Sequence, residues 1–180
     1  MMFHVTERLL LRPFWPEDWD QVLAGVGEKA IACNLARVPW PYTEDDARWW
    51  TSQPQDPRLP GFAVVESRSG ALIGAAGLGR KPGSVEVELG YWLARSHWGQ
   101  GFATEAGRGV IEVARMLGIR RVVGGHFVDN PASGRVLRKL GFAPSAHAGR
   151  RFSLARGCEF PAFEYVLELG ETVEPVMQAA

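Results

Sequence analysis

Residues 85–118 read VEVELGYWLARSHWGQGFATEAGRGVIEVARMLG, and the change of period inside this stretch decides the fold. Val85, Val87, Leu89 and Tyr91 alternate with Glu86, Glu88, Gly90 and Trp92, the period-2 signature of a strand. Arg95, Ser96 and His97 break the alternation. From Gly99-Gln100-Gly101 onward the spacing is helical: Ala103, Ala106, Val110, Val113 and Leu117 fall on one face, and Gly118 stands where a helix commonly stops. A glycine turn thus sits where a strand hands over to a helix. The first amides of a helix have no intrahelical partner and carry the positive end of its dipole, and glycine keeps side chains out of an anion's way. The amides of Gly99, Gln100, Gly101, Phe102 and Ala103, with the Thr104 hydroxyl, are placed to hold a diphosphate. On this motif alone, a plain tight turn reads equally well.

Working outward, the 180 residues suit one well-buried domain, residues 1–180, and 46% hydrophobic composition suits a globular one. Twenty basic and twenty acidic residues cancel, which argues against nucleic acid or an anionic membrane as partner. No apolar run approaches a membrane span, and MMFHVTERLLLRPF is not built as a signal peptide. Cys33 and Cys158 form no metal spacing, so neither a metal nor a disulfide framework is expected, and the reducing cytoplasm is the simplest location.

Before the central stretch, Arg8 to Phe14 reads as a strand and Pro16-Glu17-Asp18 as a helix start, with Trp19, Val22 and Leu23 on its buried face. A second helical piece is expected from Lys29 to Arg37. Thr43 with Asp46 reads as a cap for a helix over Glu44 to Ser52. Phe62 to Glu66 and Leu72 to Leu78 are strands, and Lys81-Pro82-Gly83-Ser84 turns into the central strand. After the central helix come a strand over Arg120 to Val128, a short helix through Leu140, and a closing antiparallel pair over Arg151 to Ala155 and Phe163 to Leu169. The tail from Glu171 has no pattern and is expected to fray. Early consecutive strands and later helix-separated ones describe an α/β or α+β domain with a mixed sheet, not a dinucleotide fold.

These signals coincide in an order that resembles the GNAT superfamily of acetyl-CoA-dependent N-acetyltransferases, and within it the subgroup of ribosomal-protein N-terminal acetyltransferases. The resemblance covers nearly the whole chain. It rests on TERLLLRPF with Glu17-Asp18, Pro41 to Ala47, Leu89-Gly90-Tyr91-Trp92-Leu93, Trp98 to Glu105, Asn130-Pro131-Ala132-Ser133 and Leu140-Gly141-Phe142. It implies a mixed, mostly antiparallel central sheet flanked by helices. The family's pyrophosphate loop, Q/R-x-x-G-x-G/A, aligns with Trp98 to Ala103. Trp98 departs from the usual Gln or Arg, which removes one side-chain contact and leaves the amides.

The implied chemistry is direct attack of a primary amine on the thioester of acetyl-CoA, with no metal. The resemblance places Trp92, Leu93 and Ala94 along the pantetheine arm, with a backbone N–H near Trp92 or Leu93 as oxyanion donor. Asn130 corresponds to a residue bonding the pantetheine or adjacent backbone, and Ser133 to a hydroxyl near the sulfur, hence a general acid. Both also read as helix caps. Glu88 and Glu86 are the candidate bases, and both also read as solvated strand residues. Glu105 reads as a dipole complement. Arg138, with Arg135 and Lys139, is placed to reach the 3′-phosphoadenosine. Trp40, Pro41, Tyr42, Trp49, Trp50 and Phe152 are candidate walls for the acceptor. That acceptor reads as a protein N-terminal α-amine or a small molecule or antibiotic. A non-catalytic acyl-CoA-binding module is the rival reading, and the subgroup suggests a homodimer.

Overall fold

Residues 2–80 and 84–170 are described in the computed structural model. The strands are β1 (His4–Val5), β2 (Leu9–Arg12), β3 (Gly61–Glu66), β4 (Leu72–Arg80), β5 (Val87–Leu93), β6 (Arg121–Phe127), β7 (Ala143–Ser153) and β8 (Cys158–Glu168). The helices are α1 (Trp19–Val26), α2 (Lys29–Ala32), α3 (Glu44–Thr51), α4 (Phe102–Met116) and α5 (Pro131–Lys139). All described strands join one sheet in the order β1-β2-β3-β4-β5-β6-β8-β7. Neighbours are antiparallel except β5 and β6, which run parallel. This is the expected mixed, mostly antiparallel sheet with helices on its faces.

Alternation along β5 divides its side chains between the two faces. Val87, Leu89 and Leu93 join Phe102, Ala106, Val110 and Val113 of α4 and Leu137 of α5 in one core. Trp92 packs on the other face with Val22 and Val26 of α1, Ile31 and Ala47. Each fully buried Val or Leu in these layers contributes about 1.5–3 kcal/mol. Asp18, read as a first-turn acid, is buried and accepts two hydrogen bonds of 2.7 Å from the Arg12 guanidinium. That bidentate pair ties α1 to the first long strand of the sheet.

Some boundaries differ from the sequence reading. The central strand begins at Val87, so Glu86 precedes it. The helix expected from Lys29 to Arg37 ends at Ala32. Past Ala32 the chain instead runs against the β7–β8 hairpin tip, which donates to three of its carbonyls. Arg156 Nε donates to Cys33 O (2.7 Å), Ser153 Oγ to Leu35 O (3.0 Å) and Leu154 N to Ala36 O (3.1 Å). The closing pair is longer than expected, because Pro144 and an irregular register between Pro144 and Ala148 obscure its pattern. Strand β1 is too short to carry a pattern and is held by pairing with β2. The Lys81-Pro82-Gly83 turn and the tail from residue 171 lie outside the described residues.

The parallel pair is brief. Val87 pairs with Val122 and Glu88 with Val123, and no further register follows. Beyond that point β5 follows β4 to Leu93, and β6 follows β8 to Phe127. The two strands therefore part after Glu88, leaving a fork in the middle of the sheet.

Candidate active site

The glycine turn lies beside the fork, at the end of β5. Gly99 and Gly101 have φ of +75° and +84°, where an L side chain is strained. Gly101 is the N-cap of α4, and the first backbone bond of the helix is Glu105 N–H to Gly101 C=O (3.0 Å). The amides of Phe102, Ala103 and Thr104 precede that bond and have no carbonyl within the helix. An ideal Cβ on Gly99 would meet nothing within 4 Å, so the turn is open to a ligand. These residues fit a diphosphate. Trp98 has a different role from the residue it replaces: its indole N–H donates to Leu93 O (2.8 Å) and pins the turn to the strand.

Arg8 anchors the other side of the turn. Its guanidinium donates to Gln100 O (3.1 Å) and Glu105 Oε2 (2.7 Å) and lies 4.3 Å over the Phe102 ring. Glu105 also accepts from Thr6 Oγ1 (2.6 Å) and Arg8 N (2.7 Å). Burial pushes the Glu105 carboxyl up, but these bonds and the Arg8 charge outweigh it and hold its pKa below the ordinary carboxylate value. The expected dipole complement is therefore a latch between the N-terminal strands and α4.

Inside the fork, backbone direction follows from register. Ala94 N–H is committed to Ile73 O (2.8 Å), so by alternation Trp92 and Gly90 also turn their amides toward β4. Leu93, Tyr91 and Leu89 turn theirs toward the fork. Of Trp92, Leu93 and Ala94, only Leu93 offers its N–H there, and Tyr91 adds a second. The Trp92 ring belongs to the α1 packing, since a Cβ on Gly25 would come within 2.6 Å of it.

On the α4–α5 face, Tyr91 Oη and Ser133 Oγ are 2.6 Å apart, and the Tyr91 hydroxyl also donates to Ser133 O (3.2 Å). Burial pushes the Tyr91 pKa up to about 12, against a smaller lowering by Ser133. Asn130 caps α5, its Oδ1 accepting from Ser133 N (3.3 Å). On the opposite face, Glu88 Oε1 is held by Arg151 Nη1, and Arg151 Nη2 donates to Glu164 Oε1 (3.3 Å). Glu86 lies outside the strand, 3.5 Å from Arg121.

The cationic residues of α5 divide. Arg138 turns inward, Nη1 donating to Tyr165 Oη (3.0 Å). Lys139 instead lines an open cleft of about 400 Å³ with Glu7, Arg8, Gly101, Thr104, Glu105 and Arg108, and Glu105 is already taken up by Arg8. His126 is buried between Phe127 O (2.8 Å) and Tyr165 Oη (3.4 Å), and His97 bonds Ser96 Oγ (2.9 Å). Of the expected acceptor walls, Trp50 meets Phe14 edge-on and Trp49 is exposed on α3. Sequence reasoning missed Arg8, which meets the turn and α4 from the start of the chain, and Arg151, which reaches Glu88 across β8 and β6. It used Tyr91 only as a strand residue, although the alternation already places Tyr91 on the face of Leu89.

A glycine turn open to an anion thus lies beside the parted strands, with a hydroxyl pair on one face and a carboxylate on the other, an arrangement that suits an acyl-CoA-dependent transferase. The acetyltransferase (GNAT) domain model matches residues 8–143. The uncharacterised N-acetyltransferase YoaA of Bacillus subtilis is 41% identical over 144 residues, covering 76% of this chain and 80% of that protein. The ribosomal-protein-serine acetyltransferase of Escherichia coli is 40% identical over 73 residues, 39% of this chain and 41% of that protein. The solved RimL ribosomal α-N-protein acetyltransferase, in complex with coenzyme A, superposes with a TM-score of 0.72 at 19% identity, covering 93% of this chain and 98% of that one. The chain belongs to the GNAT acetyltransferase family and is an N-acetyltransferase that uses acetyl-CoA.

Proposed function

We propose that this enzyme acetylates the N-terminal α-amine of a polypeptide and that its reaction centre is the crotch of the β5–β6 fork. The observation that carries this is the placement of Ser133 and Tyr91 on one face of the fork and Glu88 on the other. The local similarity to a ribosomal-protein-serine acetyltransferase supports the choice of acceptor. When bound, acetyl-CoA supplies the acetyl group as an activated thioester.

The chain's residues supply the rest. Amides from Gly99 to Thr104 bind the diphosphate, with the Thr104 hydroxyl beside them. The backbone edge of Tyr91 and Leu93 lines the pantetheine arm and offers an N–H to developing negative charge on the carbonyl oxygen. Ser133 Oγ delivers a proton to the departing sulfur, with Tyr91 fixing the hydroxyl. Arg151 occupies Oε1 of Glu88 and leaves Oε2 to take the amine's proton, directly or through water. Glu86 is the second carboxylate on this side. Asn130 fixes the start of α5, and so the position of Ser133.

The test is thiol release from acetyl-CoA with a panel of short peptides bearing free N-termini, alkylamines and aminoglycosides, with products located by mass spectrometry. Peptide acceptors modified on the α-amine are expected to turn over fastest. Preferred turnover of an aminoglycoside or alkylamine would replace this reading with a small-molecule acetyltransferase.

A further inference from the structure

Gly90 sits in the middle of β5, inside the sheet, and yet it is exposed. A glycine within a strand weakens it, so its presence there calls for a reason. The usual reasons are missing. Its φ is not positive, and an ideal Cβ on it would meet nothing within 4 Å. On neighbouring β6 the glycines are filled by the protein itself: a Cβ on Gly124 would be 2.9 Å from Leu137 Cδ2, and one on Gly125 would be 2.9 Å from Arg151 Cζ. The neighbours of Gly90 on its own face are covered too. Glu88 is held by Arg151, Trp92 packs against α1, and both are half-buried. The layer over this face therefore has an opening at Gly90, which solvent reaches. Gly90 is also the first residue on this face beyond Glu88, where β5 and β6 part.

We infer that Gly90 is the floor of the acceptor subsite and sets how large the acceptor's first residue can be. The α-carbon and side chain of that residue lie on the bare backbone at Gly90, with the α-amine turned to Glu88. This rests on the proposed reading of the acceptor and adds what selects among polypeptide N-termini. Strand geometry puts positions 88 and 90 roughly 7 Å apart on one face, close enough for one small residue to bridge them. Ser133 and Tyr91 occupy the opposite face, which leaves the Gly90 face to the amine. A side chain at position 90 would take up the space of the acceptor's first residue. The cost grows with what the acceptor already brings there, because two groups cannot fill one space. The cofactor's contacts, on the glycine turn and along the fork-facing edge of Tyr91 and Leu93, are untouched by such a change.

The test compares wild type with Gly90→Ala on two short peptides that differ only in a first residue of glycine or serine. It reads kcat/KM, acetyl-CoA affinity by calorimetry and stability in urea. Gly90→Ala is expected to unfold at the same urea concentration as wild type or a higher one, because alanine loses less conformational entropy and its Cβ meets no other atom. It is expected to bind acetyl-CoA as wild type does. Its kcat/KM should fall by about tenfold or more for the serine peptide, the scale of one carbon too many in a fitted site, and by less for the glycine peptide. Equal losses for the two peptides, no loss for either, or a variant that fails to fold would overturn the inference. Weakened acetyl-CoA binding would overturn it as well, by putting the cofactor and not the acceptor on Gly90. Failure of the acceptor reading looks different: wild type binds acetyl-CoA and turns over an alkylamine or aminoglycoside but neither peptide, and both proposals fall together.

Discussion

Ser133 and Tyr91 form the closest hydroxyl pair at the fork, 2.6 Å apart. With its pKa raised to about 12, Tyr91 stays protonated through the neutral range and serves as a fixed hydrogen-bonding partner, not a titrating base. Ser133→Ala is expected to lower kcat by roughly 10²-fold, as for a lost general acid, with acetyl-CoA affinity unchanged by calorimetry. A normal kcat would remove Ser133 from the chemistry. Glu105 makes a prediction about stability. Its folded pKa lies below its unfolded value, so its contribution is present above the ordinary carboxylate range and is lost as pH falls through the folded pKa. Glu105→Gln should cost about 2 kcal/mol at neutral pH, the scale of hydrogen bonds to a charged group. Urea titrations should show the gap to wild type closing as pH drops below about 4. A gap that stays constant down to acid pH would mean that the Glu105 charge is not what holds the latch.

At the scale of elements, the strand–turn–helix unit was legible because its signals are local. Alternation, two glycines and a helical stripe need no knowledge of the rest of the chain, and Thr43 with Asp46 likewise forms the expected capping box. The α5 cations show where such reading stops. Helical spacing places Arg138 and Lys139 side by side in sequence, but only packing shows that Tyr165 takes one and that the cleft beside Gly101 and Thr104 receives the other. Lys139, with Arg8 and Arg108, is therefore the better candidate for the 3′-phosphate of the cofactor. Lys139→Ala should weaken CoA binding several-fold while leaving binding of dephospho-CoA, which lacks that phosphate, unchanged. Arg138→Ala should not discriminate between the two ligands. Equal loss for both ligands in Lys139→Ala would place Lys139 elsewhere.

Across the whole molecule, strand order carries what no window of sequence holds. The mixed sheet followed from the order of elements, but the fork depends on how few residues β5 and β6 share. Arg151 reaches Glu88 from β7, with β8 and β6 lying between them, and its place depends on registers that involve all four strands. The chain after α2 is likewise held from afar, by a hairpin tip more than a hundred residues later in the sequence. The strand pattern places Glu88 on its face and the family resemblance points to it as a base, but neither points to the guanidinium that holds it.

The measurement that bears most directly on the account is calorimetric titration of acetyl-CoA into the wild type and into Gly101→Glu. That substitution puts a carboxylate into the amide cradle at a position with φ of +84°. Saturable binding with one site per chain in the wild type, lost in a Gly101→Glu protein that still unfolds cooperatively, is the predicted result. A folded wild type that takes up no acetyl-CoA, or a variant that binds it equally well, would contradict the placement of the cofactor on this turn.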